Sequence, residues 1–146
     1  MPNKTLVAAS GGFDPLHAGH IEYLEKAKAL GDKLVVIINN DDFLMKKKGY
    51  VFMPFNDRVR IISSLRFVDE VMVSIDDDQT VSKSLKLLKP NIFAKGPHWT
   101  EEEMPEKQAC KKLGIKIVEN VGKKVFTSPK LLQRHTDKIL SFSNRE

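Results

Sequence analysis

The run Leu34-Val35-Val36-Ile37-Ile38 constrains the fold more than any other stretch of this sequence. Five consecutive apolar residues, most of them β-branched, predict a strand that is covered on both faces. Such a strand lies inside a parallel sheet with helices packed above and below it. Shorter apolar runs alternate with helical patterns along the chain, and they predict further strands at 5–9, 71–74, 92–94 and 115–118. The helical patterns predict helices over 57–66, capped by Asn56, over 81–88, over 101–113, followed by Gly114, and over 129–140. The sequence therefore predicts an α/β fold with a doubly wound, five-stranded parallel sheet.

The composition fits one globular domain and excludes several classes of protein. A chain of 146 residues with 41% apolar and 29% charged residues predicts a single domain over residues 1–146. No apolar run approaches the length of a membrane span, and the first residues lack the layout of a signal peptide. The single cysteine, Cys110, cannot form an internal disulfide, which fits a reducing compartment. We therefore expect a cytoplasmic protein with no membrane partner.

The net charge of +5 favours anionic partners. The chain has neither the aromatic pattern of an RNA-recognition motif nor the cysteine and histidine spacing of a zinc finger. We therefore expect nucleotides or sugar phosphates as ligands, and no nucleic acid.

The segment Gly11–His20 is the strongest candidate for a functional site. It follows the first predicted strand and precedes a helix that is predicted to end near Leu30. Its two adjacent glycines allow close approach of the backbone to another group. His17 and His20 stand three residues apart at the helix start, so they share one face. Because a helix N-terminus suits an anion, the segment predicts a phosphate-handling site with two imidazoles.

Three roles for His17 and His20 are open at this point. They are structural caps of the helix, metal ligands together with Asp14, or hydrogen-bond donors to phosphate oxygens in a transition state. A zinc site needs further ligands, and nothing in the sequence places His98 or His135 nearby. The glycine pair and the basic loops described next favour the third role.

Three other unusual loops follow predicted strands and therefore lie at the same edge of the sheet, where open parallel sheets bind ligands. They contain the lysines 46–48, the segment Lys95–Trp99 and the pair Thr127-Ser128. A lysine run is commonly a solvated loop, but this position favours a phosphate clamp. Trp99 is either a core anchor or a surface on which a base stacks. Cys110 is expected to be a buried helix residue, because no partner that would activate it is evident.

The segment Gly12-Phe13-Asp14-Pro15-Leu16-His17-Ala18-Gly19-His20 resembles the signature of the nucleotidyltransferase superfamily that carries an H-x-G-H motif. The segment Arg66–Val71, with Arg58 ahead of it, looks like the small bacterial glycerol-3-phosphate cytidylyltransferases, as does the position of the loop Gly96–Trp99. Lys95-Gly96 and the histidine segment also look like the adenylyltransferases of heptose phosphate. The resemblance covers nearly the whole chain and implies a Rossmann-like five-stranded parallel sheet and a homodimer.

The resemblance also implies a reaction. The phosphate of a small phosphorylated polyol or sugar attacks the α-phosphorus of CTP, and pyrophosphate leaves. Mg²⁺ escorts the triphosphate, and no enzyme nucleophile takes part, so catalysis consists of positioning and charge stabilisation. Use of ATP, as in heptose-phosphate adenylyltransferases or FAD synthases, is the alternative within the class. A non-catalytic nucleotide-binding module is the alternative from another class.

Site residues follow from the positions that match the family. The implied catalytic residues are His17 and His20, which stabilise the pentacoordinate phosphorus, and Lys46, which contacts phosphates. No protein ligand to a metal is implied. The implied nucleotide-binding residues are Gly12, Phe13, Lys47, Gly96, Trp99, Thr127 and Ser128.

The sequence departs from the cytidylyltransferases in two places. Pro97 and His98 replace the acidic residues that precede the tryptophan, which leaves the choice between CTP and ATP open. The arginine-led signature R-T-x-G-I-S-T is reduced to the segment Gly122–Pro129. Lys123 or Lys124 replaces the arginine in charge only, since lysine lacks the bidentate fork of a guanidinium.

Overall fold

The computed structural model describes residues 4–78, 80–96 and 106–122, in which strands and helices alternate. The strands are β1 (Leu6–Gly11), β2 (Lys33–Ile38), β3 (Glu70–Val73), β4 (Ile92–Ala94) and β5 (Lys116–Val118). The helices are α1 (Ala18–Lys28), α2 (Asp41–Lys48), α3 (Phe55–Ser63), α4 (Ser82–Leu88) and α5 (Lys107–Leu113).

The five strands form one sheet in the order β3-β2-β1-β4-β5, and each neighbouring pair is parallel. This confirms the predicted α/β fold. The chain moves outward from β1 through β2 to β3, and then returns to the other side of β1 to form β4 and β5. The strand order therefore reverses between β1 and β4, and a crevice opens at the carboxyl ends of strands at such a point.

The sheet separates two apolar cores. Leu34, Val36 and Ile38 of β2 pack in the core that contains α1 and α3, whereas Ile37 packs in the core that contains α4 and α5. All five residues from 34 to 38 are at most 3% exposed, as expected for a strand covered on both faces.

The lysine run lies on a helix, so the prediction of a loop there was wrong. The Asn40 side chain accepts a hydrogen bond from the Phe43 N–H at 2.8 Å and caps the start of α2. Gly49 ends the helix with φ of 83°. Lysines 46–48 form the last turn, where their charges complement the helix dipole. The sequence hides this helix because few of its residues are apolar.

Two predicted helix starts also need correction. The third helix begins at Phe55 after Pro54 and has no side-chain cap, although the sequence predicts a cap at Asn56. The fourth begins at Ser82 rather than at residue 81, and Asp76 accepts hydrogen bonds from two of its backbone N–H groups. At the other end of a helix, the C-terminal glycine predicted at Gly114 is confirmed, with φ of 71°.

Several predicted features lie outside the described residues. They are Trp99, Thr127, Ser128, the first part of the predicted helix 101–113 and the predicted closing helix over 129–140. Among the helices that the structure describes, none is long and apolar enough to cross a membrane.

Candidate active site

The crevice between β1 and β4 is held open by the hydroxyl of Tyr23. The pairing of the two strands ends at Ala9 and Ala94. Beyond that point, the Tyr23 hydroxyl accepts a hydrogen bond from the Ser10 N–H at 3.2 Å and donates one to the Ala94 carbonyl at 2.5 Å. A side-chain oxygen thus replaces the next direct bond of the ladder, so the two backbones separate at the carboxyl edge.

The two histidines cap the helix that starts at this crevice. His17 Nδ1 accepts a hydrogen bond from the Gly19 N–H at 3.1 Å, and His20 Nδ1 accepts one from the His17 N–H at 3.2 Å. The pair is a capping box built from imidazoles. The rings are stacked with centroids 3.8 Å apart, which confirms that they share one face.

These bonds assign the position of the histidine protons. A ring nitrogen that accepts a hydrogen bond carries no proton, so a neutral imidazole in this arrangement carries its proton on Nε2. In both residues the outer nitrogen is therefore a donor. The Nε2 atom of His17 is shielded from bulk solvent. A desolvated donor beside a helix N-terminus is suited to a phosphate oxygen on which negative charge develops.

Close packing inside the protein explains the glycine pair. A Cβ on Gly11 would lie 2.9 Å from the Phe13 ring, and one on Gly12 would lie 2.7 Å from Cδ2 of Leu44. Phe13 has a positive φ of 53°, is 2% exposed, and contacts His20 edge-to-face at 5.1 Å between centroids. Gly11 thus allows the Phe13 ring to fold back against the second histidine, and Gly12 leaves room for Leu44 of α2.

Asp14 is a structural residue of this loop. Its carboxylate accepts hydrogen bonds from the N–H groups of Phe52 and Met53, and the Lys48 ammonium lies 3.0 Å from it. Lys48 also donates to the Asp14 carbonyl at 2.6 Å. The carboxylate is 1% exposed and all its bonds are internal, so the arrangement does not favour Asp14 as a metal ligand.

Arg58 joins the loops at the ends of β1 and β2. Its guanidinium is fully buried and donates to the carbonyls of Gly12 at 2.8 Å and Asn39 at 2.6 Å. It also donates to the Met53 carbonyl and to the carboxylate of Asp41, at the start of α2. One cation therefore fixes the glycine loop and the lysine-bearing helix relative to each other.

The structure separates the lysines of α2 from one another. Lys46 lies in a cleft between the ends of β2 and β3, which is also lined by Asp42, Asp77 and Asp78. Lys47 is exposed, and its ammonium lies 5.9 Å from the centroid of the Phe43 ring, one turn earlier in α2. Lys46 therefore faces an acidic turn, whereas Lys47 lies over an aromatic ring of its own helix.

The remaining candidates follow β4 or precede β5. Gly96 is half-buried and directly follows Lys95 at the end of β4. Cys110 is fully buried, and burial raises the pKa of its thiol to about 11, which leaves it protonated and unreactive near neutral pH. No group of three or more potential metal ligands occurs among the described residues.

Sequence reasoning missed four residues of this site. Tyr23 reads as an ordinary core residue of an amphipathic helix, and Arg58 reads as one charge among many. Asp14 and Lys48 were considered only as a possible metal ligand and as a member of the lysine run. These four residues are identified by their positions near the histidine motif in the folded structure. The periodicity of the sequence carries no information about those positions.

The fold and the site define a class of protein. It is a Rossmann-like protein with two histidines at the point where the strand order reverses, and this arrangement is suited to binding the phosphates of a nucleotide. A family model described as Cytidylyltransferase-like matches residues 8–140 of the chain. The chain belongs to that family and is a nucleotidyltransferase. The resemblance inferred from the H-x-G-H segment is therefore confirmed.

Individual relatives are similar over most of the chain. The FAD synthase of Pyrococcus abyssi is 35% identical over 112 residues, which are 76% of this chain and 75% of that protein. The bifunctional protein HldE of Streptomyces coelicolor is 40% identical over 116 residues, but these are only 25% of its length. A lipopolysaccharide core biosynthesis protein of Thermoplasma volcanium has a structure that covers 83% of this chain with a TM-score of 0.72 and 32% identity.

Proposed function

We propose that this protein is an ATP-dependent adenylyltransferase that acts on a phosphate monoester. An oxygen of the acceptor phosphate attacks the α-phosphorus of ATP, and a new P–O–P bond forms. The bond between the α- and β-phosphates breaks, and pyrophosphate leaves with its electron pair. The observation that carries the proposal is the histidine capping box, whose two outer nitrogens are donors at the start of α1.

The names of the relatives favour adenine over cytosine. FAD differs from flavin mononucleotide by an adenylyl group, so an enzyme named FAD synthase attaches that group. The name FAD synthase therefore supports the alternative of ATP over the CTP that the glycerol-3-phosphate cytidylyltransferase resemblance suggests. Flavin mononucleotide is the first acceptor to test, because the FAD synthases are matched over most of their own length.

The histidines act in this scheme by charge stabilisation. As the α-phosphorus becomes pentacoordinate, negative charge grows on its non-bridging oxygens, and the Nε2 donors of His17 and His20 stabilise it. The glycine loop at Gly12 and Phe13 supplies backbone to the nucleotide. Gly96, Trp99, Thr127 and Ser128 stay predictions as nucleotide-binding residues.

Mg²⁺ is proposed to enter with the triphosphate. This ion commonly keeps several waters and uses substrate phosphates with one or two carboxylates, so a dedicated cage of protein ligands is not required. When bound, it neutralises phosphate charge. The internal bonds of Asp14 fit that arrangement, because they hold the loop rather than an ion.

Lys47 is proposed as the lysine of α2 that contacts substrate phosphate, in place of the Lys46 that family position favours. The aspartates after β3 lie beside Lys46, and their negative charge opposes binding of a phosphate there, whereas Lys47 is exposed and does not line that cleft. We expect Lys47→Ala to lower kcat/KM about tenfold or more, the effect of one charge-assisted hydrogen bond. Lys46→Ala is the matched control, expected within about twofold of wild type. A larger loss of kcat/KM in Lys46→Ala than in Lys47→Ala would show that Lys46 is the lysine that contacts the phosphate.

A pyrophosphate-release screen tests the proposal. Each of the four nucleoside triphosphates is combined with flavin mononucleotide, glycerol 3-phosphate and a panel of sugar phosphates. We expect release with ATP and at least one acceptor. Release with CTP alone would overturn the proposed donor, and nucleotide binding without release from any pair would favour a non-catalytic module. The predicted homodimer is tested separately by sedimentation at micromolar concentration.

A further inference from the structure

A buried lysine and a buried glutamate lie together at the end of β4, on the face of the sheet opposite the histidines. Lys95 is two residues after Phe93, so its side chain lies on the same face, toward α4 and α5. The side chains of Lys95 and Glu106 are only 6% and 4% exposed. Burying two charged groups is costly, and such groups at the carboxyl edge of a parallel sheet are candidates for a functional role.

The backbone around this pair is fixed. The Lys95 N–H donates to the Val118 carbonyl, and the Lys95 carbonyl accepts from the Val121 N–H, both at 2.9 Å. Glu106 Oε1 accepts a hydrogen bond from the Val81 N–H at 3.2 Å, and the Glu106 carbonyl accepts one from the Cys110 N–H at 2.9 Å. Both charged groups therefore project from anchored main chain.

The ion pair itself is loose. Lys95 Nζ lies 4.0 Å from Glu106 Oε2, beyond hydrogen-bonding distance, and 5.0 Å from the centroid of the Phe93 ring. Among the described residues, no hydrogen-bond donor reaches Glu106 Oε2. The carboxylate thus attracts the ammonium by charge without binding it directly.

The surroundings of Lys95 favour a negative partner. Burial lowers the pKa of Lys95, and Glu106 opposes that shift. Because burial disfavours the charged ammonium, an anion within hydrogen-bonding distance of it would stabilise the charge.

We propose that Lys95, positioned by Glu106, forms a binding subsite for a phosphate group of a substrate. The inference rests on the proposed function, since it names where a phosphate binds at the same carboxyl edge of the sheet. The group is either the phosphate of the acceptor or part of the triphosphate, because the two share their chemistry.

Calorimetric titration with two probes distinguishes these sources. The first probe is α,β-methylene-ATP, which cannot release pyrophosphate. The second is inorganic phosphate, titrated into protein saturated with that analogue. We expect Lys95→Met to weaken one of the two about 10- to 100-fold, as expected for loss of one charge-assisted hydrogen bond. If binding of inorganic phosphate is weakened, the subsite binds the phosphate of the acceptor. If binding of the analogue is weakened, the subsite binds part of the triphosphate.

A charge-neutral double variant separates binding from folding. Lys95→Met alone leaves Glu106 as an uncompensated buried charge, so Lys95→Met/Glu106→Gln is expected to regain thermal stability. Its affinity for the affected probe is expected to stay low, because the ammonium is absent. Recovery of wild-type affinity in the double variant would overturn the subsite and leave the pair a purely structural one.

The control is Lys83→Met, which removes an exposed lysine paired with Asp77 on the surface. It is expected to bind both probes as wild type does. If the wild type binds the probes and Lys95→Met binds them equally well, the subsite is overturned and the proposed function is not. Wild-type protein that binds neither probe contradicts both the subsite and the proposed function.

Discussion

Replacing His17 by asparagine separates the two tasks that the structure gives to this side chain. Nδ1 caps α1 through the Gly19 N–H, and Nε2 is the donor proposed to stabilise the reacting phosphate. Asparagine is among the best N-cap residues, and its oxygen takes the place of Nδ1. Its side chain ends before the position of Nε2. The variant therefore keeps the cap and loses the donor.

The two effects have different sizes and different readouts. Loss of the cap in His17→Ala is expected to cost about 1 kcal/mol of unfolding free energy, or about 2–4 °C in Tm. Loss of the donor is expected to lower kcat by about 10²- to 10³-fold. We therefore expect both variants to lose activity equally, while only the alanine variant loses stability.

Thermal unfolding and pyrophosphate release measure these two quantities. Lys26→Ala serves as the control, because Lys26 is on the exposed face of α1 and pairs only with Glu22 among the ion pairs of the described chain. It is expected to keep the wild-type kcat. A kcat of His17→Asn within about threefold of wild type would refute the donor role. Equal destabilisation by asparagine and alanine would refute the cap.

Three further predictions concern residues that support the site. Tyr23→Phe leaves the Ser10 N–H and the Ala94 carbonyl without their shared partner, so we expect urea unfolding to show a loss of about 1–3 kcal/mol; a loss below about 0.5 kcal/mol would contradict the bridge. Arg58→Met removes four hydrogen bonds and is expected to lower the free energy of unfolding by at least about 3 kcal/mol in the same assay. Arg58→Lys is expected to be destabilised as well, because an ammonium cannot reach all the partners of the planar guanidinium. An Arg58→Lys variant as stable as wild type would contradict this role of the guanidinium. Cys110 is expected to resist iodoacetamide at pH 8 until the protein is unfolded. Its pKa of about 11 in the folded protein lies above the ordinary value of 9.0. The contribution of Cys110 to stability is therefore complete below about pH 9 and is lost as the pH rises to about 11. Rapid alkylation of the native protein would show that the thiol is exposed.

The sequence predicts the sheet and the histidine pair because both depend on local pattern. The run 34–38 requires cover on both faces wherever it lies, and a spacing of three places His17 and His20 together on any helix. The strand ends follow from the alternation of elements, since parallel strands place all their carboxyl ends at one edge.

The residues that shape the crevice depend on contacts between distant parts of the chain. The Tyr23 hydroxyl joins β1 to β4 through Ser10 and Ala94, which are 13 and 71 residues away from Tyr23 in sequence. Arg58 reaches Gly12 across 46 residues, and the pairing of Lys95 with Glu106 depends on how α5 packs. Periodicity assigns these residues only to a core or to a surface. The position of Lys46 beside the acidic turn also depends on the helix α2, which the apolar pattern does not reveal.

The stereochemical course at the α-phosphorus tests the central claim most directly. The account requires one in-line displacement by the acceptor phosphate, with no nucleotide bound covalently to the enzyme. With ATP made chiral by sulfur at the α-phosphorus, and the acceptor found in the screen, it predicts inversion of configuration in the product. Retention would show two displacements through an enzyme nucleophile, and would contradict a site built only from donors and cations.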